Sequence, residues 1–398
     1  MTDPVSNPIW GDDWDAVRSE WALDPTVTFL NHGSFGATPR LVLEAQRALR
    51  DEMERQPVAF LDRGLAEMIR SAREACGQFL GTSGSNIAFV PNATTGVNAV
   101  MRSLRFEPGD EMLIADIGYP AVIKTMRRVA ERCGATLVTQ PIPFPRSNPA
   151  ELTEALLAGM TRRTKIVVVD QVSSPTALAF PVAEIVKRCR DAGVLCLVDA
   201  AHAPGAFEVD LDELAPDFWT GNFHKWVCSP KGSAVLYVHP DHHAAIVPPV
   251  TSHYFEGAFP DEFIWMGTDD PTAYLSIPAA IEFMANLGWD RVRRHNHELA
   301  RYGRRVVSDA LGVEPPYPDG SEWYNCMSLI ALPNSVRAET KKQTDAAQAE
   351  LYRRTRIEVP FIPLRGRAYV RLSAQVYNAP AHYDALAAGL VDLFGAGQ

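Results

Sequence analysis

An alternation of short apolar segments with amphipathic segments between residues 86 and 239 most constrains the fold of this chain. The apolar segments are rich in β-branched residues, which predicts buried strands. These strands are predicted at 86–90, 111–116, 165–170, 194–199 and 233–238, and helices at 97–104, 121–133 and 181–192. Continuous apolar strands separated by helices predict an α/β fold with a mostly parallel central sheet and helices on both faces.

The pattern changes after Pro271, which indicates a second domain. Long helical stretches are predicted at 273–287 and 290–311, with short strands at 327–332 and 368–372. A chain of 398 residues also exceeds the size at which one core usually stops growing, about 250–300 residues. We expect a large domain over 21–289 and a smaller α+β domain over 290–398, with residues 1–20 packing on the smaller one.

Charge and composition argue against several classes of partner. The formal net charge is -10, so no overall positive field favours nucleic acid. The N-terminal residues do not resemble a signal peptide, and no apolar run approaches the roughly 20 residues of a membrane span. The six cysteines have no metal-ligand or disulfide spacing. We therefore expect a cytoplasmic protein that binds neither nucleic acid, membrane nor metal.

Lys225 lies between aromatic residues in the sequence Phe-His-Lys-Trp. Partial desolvation of a lysine lowers its pKa and frees the amine for Schiff-base chemistry. The alternative is a lysine whose aliphatic stem merely packs against its neighbours.

Asp199 ends a predicted buried strand, where ligands bind in sheets of this type. Pyridoxal phosphate (PLP) chemistry requires such a carboxylate at the pyridine nitrogen together with a lysine for the aldehyde. Asp199 taken alone has a second interpretation, as a helix cap or loop carboxylate.

The segment 91–96 follows a predicted strand, opens a predicted helix and contains Asn92, Thr94 and Thr95. Backbone amides at a helix N-terminus bind phosphate, and small hydroxyl side chains add donors. The same three residues are also ordinary N-cap residues. The combination of this segment with Lys225 and Asp199 is more specific than any one of them.

The order of the hydroxyl-rich segment, Tyr119, Asp199 with His202, and His224-Lys225-Trp226 resembles the fold-type I PLP enzymes of aminotransferase class V. Segments 29–39, 174–178, 266–271 and 370–374 resemble the isopenicillin N epimerase branch of that family. The resemblance covers nearly the whole chain. It implies the fold and the cofactor more strongly than the reaction, because the branch also contains enzymes that resemble C–S lyases.

The resemblance implies a role for each matching residue. Lys225 matches the Schiff-base lysine, Asp199 the partner of the pyridine nitrogen, and Tyr119 an aromatic residue over the cofactor ring that also reaches the imine. Other cofactor contacts are implied for Thr94, Thr95, Ser174, His202, Asn222, His224, Gly267 and Thr268. Arg371 matches the arginine that binds the substrate carboxylate, and the turn containing Asn31, His32 and Gly33 approaches the substrate.

The resemblance also implies a homodimer in which Gly267 and Thr268 reach the cofactor phosphate of the neighbouring subunit. The aromatic-rich loop 251–265 is expected to lie in that interface, since exposed aromatic side chains are typical of such surfaces. The sequence departs from the branch at Asp269, where the pattern Gly-Thr-Arg-Asp-Pro has arginine. This substitution removes a positive charge near a phosphate or substrate carboxylate.

The implied function is a PLP-dependent enzyme that acts at the α-carbon of an L-amino acid, by epimerisation or by β-elimination through a quinonoid carbanion. The alternatives are a C–S β-lyase or cysteine desulfurase-like enzyme, an aminotransferase, and a PLP-binding protein without turnover. A nucleotide-dependent oxidoreductase is disfavoured because no GxGxxG sequence follows a predicted strand. The cofactor motifs serve all the PLP reactions equally, so the substrate-side residues must distinguish them.

Overall fold

The computed structural model describes residues 14–144 and 148–395. Its strands are β1 (Thr28–Phe29), β2 (Ile87–Val90), β3 (Glu111–Ala115), β4 (Thr136–Gln140), β5 (Thr164–Asp170), β6 (Leu195–Asp199), β7 (Phe218–Asn222), β8 (Ala234–Val238), β9 (Met327–Ala331), β10 (Ile357–Glu358), β11 (Phe361–Leu364) and β12 (Arg367–Ser373). Its α-helices are α1 (Trp14–Ser19), α2 (His32–Phe35), α3 (Arg40–Arg55), α4 (Leu65–Leu80), α5 (Ala93–Ser103), α6 (Pro120–Cys133), α7 (Pro149–Leu157), α8 (Val182–Asp191), α9 (Leu211–Leu214), α10 (Thr272–Leu275), α11 (Ile277–Leu287), α12 (Trp289–Leu311), α13 (Lys341–Thr355) and α14 (Pro380–Phe394).

A seven-stranded sheet forms the centre of the molecule, in the order β2-β8-β7-β6-β5-β3-β4. All its pairs are parallel except the two that β8 makes with β2 and β7. Alternate residues of β5 point to opposite faces, since Val167 and Val169 belong to one apolar layer and Ile166 and Val168 to the other. The predicted α/β fold, with a mostly parallel sheet and helices on both faces, is confirmed.

The sequence pattern missed two strands of this sheet. The edge strand β4 is only partly buried, so it lacks the continuous apolar run of its neighbours. Strand β7 is fully buried but ends in Thr220, Gly221 and Asn222, which do not have the β-branched apolar pattern of a core strand. Strand β7 positions Lys225, because the lysine lies in the turn that follows this strand.

A second, antiparallel sheet in the order β11-β12-β9 packs with α12, α13 and α14 near the C-terminus. This agrees with the predicted small α+β unit, although the boundary at residue 290 stays a prediction. Trp14 donates from its indole nitrogen to the carbonyls of Val376 and Asn378, both at 3.2 Å, so the start of the described chain contacts this unit. Residues 1–13 of the predicted N-terminal segment lie outside the described residues.

The carboxyl ends of the central strands assemble the polar side chains. Asp170 and Asp199 are register neighbours at the ends of β5 and β6, and Asn222 ends β7. Because these strands are parallel, the three side chains lie along one edge of the sheet. No helix within the described ranges is both long enough and apolar enough to cross a membrane.

Candidate active site

Lys225 is buried in the turn that follows β7, with its Nζ 3.1 Å from Nε2 of His202. Burial and the positive charge of Arg371 lower the pKa of Lys225 to about 7, against the opposing charges of Asp199 and Asp170. A large fraction of the amine is therefore neutral near neutral pH. A neutral amine is the nucleophilic and proton-accepting form, so this environment favours the Schiff-base interpretation of Lys225.

His32 is hydrogen-bonded to the backbone of Lys225. Its Nε2 donates to the Lys225 carbonyl at 2.9 Å, and its Nδ1 accepts from the Tyr377 hydroxyl at 2.7 Å. The ring packs on Trp226 with 5.0 Å between ring centroids, and burial lowers the pKa of His32 to about 3. Both ring nitrogens are thus engaged by the protein, so we assign His32 a positioning role rather than a direct substrate contact.

The turn that carries His32 approaches the lysine backbone closely at Gly36. This glycine has φ +70°, and a Cβ atom there would lie 2.0 Å from the carbonyl oxygen of His224. Any side chain would therefore push the turn away from Lys225 and strain its backbone. Glycine at this position lets the N-terminal turn support the lysine.

Asp199 and Asp170 form a pair of buried carboxylates beside Lys225. Burial raises the pKa of Asp199, while the amide of Ala201 and the charge of Lys225 oppose the rise. Burial and the charge of Asp199 raise the pKa of Asp170 well above its ordinary value. Asp170 was not predicted as a site residue, although it ends a predicted strand just as Asp199 does. Its Oδ1 has no hydrogen-bond partner within the described chain.

His202 is buried against the lysine amine. Burial, followed by the charge of Lys225, lowers the pKa of His202 well below its ordinary value, so the ring is neutral. When Lys225 donates to Nε2, the ring hydrogen resides on Nδ1, which has no partner among the described residues. His202 therefore offers a buried, unused donor next to Lys225.

The segment 91–96, which was predicted to bind phosphate, contains the start of α5. Asn92 is the N-cap, and its Oδ1 accepts from the Thr95 amide at 2.9 Å and from the Thr95 hydroxyl at 3.1 Å. The Ala93 amide donates to Oδ1 of Asn222 at 2.8 Å, which ties the helix start to the end of β7. Half-buried Thr94 lies in the same first turn. The capping interpretation holds for Asn92 and is compatible with an anion at this terminus.

His224 precedes the lysine, and its Nδ1 lies 3.1 Å from the Ser233 carbonyl oxygen. Burial and the charge of Lys225 lower the pKa of His224 to about 4. The ring is therefore neutral, and Nδ1 carries the hydrogen that it donates to Ser233. A neutral His224 cannot hold a phosphate by charge, so the helix N-terminus must supply most of the attraction.

Arg371 is a buried arginine of β12 whose hydrogen-bond partners within the described residues are serine oxygens. It donates from Nη1 to the carbonyl and hydroxyl of Ser174 and from Nη2 to the Ser34 hydroxyl at 3.1 Å, while Nε has no partner. No carboxylate lies within ion-pair distance of Arg371 in the described part of the chain. Burial lowers its pKa to about 10. A buried guanidinium of this kind is suited to a carboxylate ligand.

Two other predicted groups adjoin Arg371. Asn31 accepts from the Ser34 hydroxyl at 2.5 Å, and the Gly33 amide donates to Ser373 at 3.1 Å, so the N-terminal turn contributes to the Arg371 site. Ser34 itself was missed because its role depends on β12. Tyr119 is the N-cap residue that directly precedes α6, and it is 39 % exposed. An exposed phenol at this edge is available to a ligand.

Gly267 and Thr268 lie in an exposed segment. Among the described residues, Thr268 makes no hydrogen bond to the groups around Lys225. Asp269 accepts from the Asp270 amide at 2.8 Å, and Asp270 pairs with Arg50 at 2.7 Å, so the unexpected aspartate supports the local turn. A single chain therefore does not bring the predicted Gly-Thr contact together with Lys225.

The expectation for the aromatic-rich loop 251–265 requires correction. Phe259 and Phe263 are buried in the apolar layer that also contains α5 and β8, so they stabilise the subunit itself. Trp265 is half-buried against the other layer. Phe255 is 65 % exposed and Tyr254 is half-buried, so the outer part of the loop remains free to contact another surface.

Residues 38–328 match the family described as aminotransferase class-V. The chain belongs to this family. It is 33 % identical over 401 residues to isopenicillin N epimerase of Streptomyces clavuligerus, with 96 % of this chain and 99 % of that protein covered. It is 29 % identical over 413 residues to L-cysteine desulfhydrase of Arabidopsis thaliana, covering 95 % and 90 % of the two chains.

The fold resembles that of the cystine C-S lyase C-DES, solved with cysteine persulfide, at a TM-score of 0.81. The two chains are 21 % identical, with 92 % of this chain and 98 % of that chain covered. This similarity confirms the fold-type I architecture.

This class-V chain is a PLP-dependent enzyme, and the side chains of the site fit that cofactor. Lys225 supplies a desolvated amine, Asp199 a buried carboxylate and α5 a helix N-terminus at the same sheet edge. The unused donor of His202 and the free Nε of Arg371 are buried polar atoms that a bound cofactor and substrate would satisfy. Asp199 therefore matches the ring nitrogen of the cofactor, Lys225 its aldehyde and α5 its phosphate. Arg371 matches the carboxylate of a substrate.

Proposed function

We propose that this enzyme acts at the α-carbon of an L-amino acid or a derivative of one, by epimerisation or by β-elimination. The observation that carries the proposal is the buried, uncompensated Arg371 beside the low-pKa amine of Lys225. An α-amino acid presents a carboxylate to the first group and a Cα proton to the second. The relatives of this chain include an isopenicillin N epimerase and an L-cysteine desulfhydrase, which supports both reaction types.

The chain's own residues divide the work. Bound PLP supplies an aldehyde that condenses with the amino group and a ring that accepts electrons. Arg371 orients the substrate carboxylate through its guanidinium fork. Lys225 removes the Cα proton, and neutral His202 holds the Nζ atom at 3.1 Å. Asp199 would hold the ring nitrogen in its protonated form, and the first turn of α5 would bind the phosphate.

The two reactions differ in their demand for a second acid. β-Elimination needs one base and a substrate with a leaving group at Cβ. Lys225 is that base in our proposal, and the leaving group belongs to the substrate. Epimerisation also needs a proton donor on the opposite face of Cα. Tyr119, with its partly exposed phenol, is our candidate for that donor. An aminotransferase would instead require a second substrate that accepts the amino group.

A product assay distinguishes these reactions. Purified holoenzyme is mixed with a panel of L-amino acids and cysteine conjugates, and pyruvate, ammonia, sulfide and the D-isomer are measured. We expect either D-isomer without keto acid or pyruvate with an equal amount of ammonia. An amino-group acceptor requirement would contradict the proposal in favour of an aminotransferase. Visible absorption at about 410–430 nm without any turnover would favour a PLP-binding protein that lacks activity.

We further propose that the working unit is a homodimer in which Thr268 completes the phosphate site of the partner. Thr268 is exposed and makes no hydrogen bond to its own subunit's lysine cluster in the described structure. Phe35, next to the Arg371 ligand Ser34, is 70 % exposed, and Phe255 is 65 % exposed. Exposed side chains of this size favour burial against a second surface.

Mixing two inactive variants tests the shared site. Lys225→Ala and Thr268→Glu should each be inactive, and mixing them under conditions of subunit exchange should restore part of the activity. Restoration follows because one site of the mixed dimer has an intact lysine and an intact partner threonine. Mixing Lys225→Ala with Asp199→Asn is the control, since both residues belong to one subunit's site and no rescue is expected. A fully active monomer, or proven exchange without rescue, would refute the model.

A further inference from the structure

Strands β11 and β12 form a hairpin whose turn has an unusual residue. The two turn residues, Arg365 and Gly366, have φ angles of +49° and +77° and join the register partners Leu364 and Arg367. A positive φ is uncommon for a residue with a side chain, and hairpin turns with two positive φ angles favour Asn-Gly. The conformation of the turn therefore does not explain the arginine.

The Arg365 side chain reaches from this turn to the carboxyl edge of the central sheet. Its Nη2 donates to Oδ2 of Asp116 at 2.6 Å and to the carbonyl of Ile142 at 2.7 Å. Asp116 directly follows β3, and its Oδ1 accepts from the Ile142 amide at 3.0 Å. One guanidinium nitrogen thus bridges the segments that follow two paired strands, β3 and β4. We call Arg365, Asp116 and Ile142 the hairpin clamp.

Strand β12 of the same hairpin carries Arg371, which contacts the central sheet at a second point. Arg371 donates to the carbonyl and the hydroxyl of Ser174. The preceding residue, Ser173, donates from its buried hydroxyl to the carbonyl of Ile117 at 2.8 Å. Ile117 is adjacent to Asp116 in the chain, so these contacts and the hairpin clamp form a closed circuit. A closed circuit restricts the position of Arg371 more than its contact with Ser174 alone.

The exposure of the hairpin clamp indicates what it contributes. The Arg365 side chain is 43 % exposed and the Asp116 side chain 28 % exposed. An ion pair with this much solvent contact contributes little to folding stability. Ligand binding is more sensitive, because a binding group must be held close to its productive geometry by the residues that support it.

We propose that the hairpin clamp positions the Arg371 guanidinium and thereby gives the site its preference for an α-carboxylate. This inference rests on the proposed function, in which Arg371 binds that carboxylate. Arg365 and Asp116 act through Arg371 and are therefore positioning residues.

Glycine and methylamine test the proposal, because they differ by the carboxylate and neither can be epimerised or lose a group from Cβ. The holoenzyme is titrated with each amine, and binding is followed by the change in visible absorption of the bound cofactor. The wild-type protein should bind glycine more tightly than methylamine, and Arg371→Leu should lose this preference. Arg365→Asn should lower the preference about tenfold, the size of one charge-assisted hydrogen bond, while the affinity for methylamine stays the same.

Three further variants separate positioning from folding. Arg365→Asn creates the Asn-Gly pair that such turns favour, so its thermal unfolding temperature should equal or exceed that of the wild type. Asp116→Asn keeps an oxygen for the Ile142 amide and should lower the glycine preference equally. The double variant should lose no more than either single variant, because both remove one interaction. Arg367→Gln is the matched control from the same hairpin, since Arg367 packs over the Tyr369 ring, and it should keep the full preference.

Each other outcome counts against the inference. An unchanged glycine preference in folded Arg365→Asn or Asp116→Asn would overturn the hairpin clamp. Equal losses of affinity for glycine and methylamine would also overturn it, because they would show a general disturbance of the site. A wild-type protein without glycine preference, or a preference that survives Arg371→Leu, would overturn the proposed role of Arg371 and the inference with it.

Discussion

Replacing Lys225 with alanine should abolish the visible absorption of the bound cofactor and lower turnover by about a thousandfold or more. The reason is that Lys225 is the buried amine whose pKa falls to about 7 beside Asp199 and Arg371. Alanine removes both the covalent attachment and the base. Absorption spectra of the purified protein and a product assay measure the two effects.

Lys231 provides the matched control, because burial also lowers its pKa and it lies six residues further along the chain. Its Nζ donates to Thr38 at 3.3 Å rather than facing the strand-end carboxylates. Lys231→Ala should therefore retain the visible absorption and most of the turnover. Borohydride reduction followed by peptide mapping should place the pyridoxyl group on Lys225, and its recovery on Lys231 would show that the site is misassigned.

Asp199→Asn should retain the cofactor but lower turnover by several orders of magnitude. An uncharged amide cannot keep the ring nitrogen protonated, so the ring loses its ability to accept electrons from Cα. Cofactor content is measured from the absorbance released in alkali, and turnover from the product assay.

Asp170→Asn serves as the control for that variant, because Asp170 is the neighbouring strand-end carboxylate and is buried to a similar extent. Burial and the charge of Asp199 raise the pKa of Asp170 well above its ordinary value, so the neutral amide resembles its protonated form. We expect a much smaller loss of turnover than for Asp199→Asn. A larger loss in Asp170→Asn, or near-normal rates in Asp199→Asn, would mean that Asp199 is not the partner of the ring nitrogen.

The sequence was sufficient for the parts of the site that follow from local pattern. A continuous apolar strand has a defined carboxyl end, so Asp199 could be placed at the ligand-binding edge before the fold was known. The segment 91–96 likewise predicted a helix N-terminus, which α5 confirms. Lys225 between aromatic residues was ambiguous on its own, and its combination with Asp199 and the segment 91–96 made it the candidate Schiff-base lysine.

The remaining site residues depend on contacts between distant parts of the chain. His32 bonds to Tyr377, 345 residues away, and Ser34 bonds to Arg371, 337 residues away. No local pattern encodes such pairs, so the contacts of His32 with Tyr377 and of Ser34 with Arg371 could not be predicted from the sequence. Asp170 was overlooked for a different reason, since a strand-end carboxylate without a neighbouring motif carries no distinguishing signal.

The anchoring of Lys225 by His32 and Tyr377 has a consequence for biosynthesis. The ribosome releases the N-terminal turn and the lysine long before it adds Arg371 and Tyr377, both of which belong to the last segment of the chain. Until that segment folds, His32 lacks the Tyr377 hydroxyl that fixes its ring, and Lys225 lacks the cationic neighbour that helps to lower its pKa. The environment that lowers the pKa of Lys225, first by burial and then by the charge of Arg371, therefore forms only after the segment that contains Arg371 and Tyr377 has been synthesised and has folded.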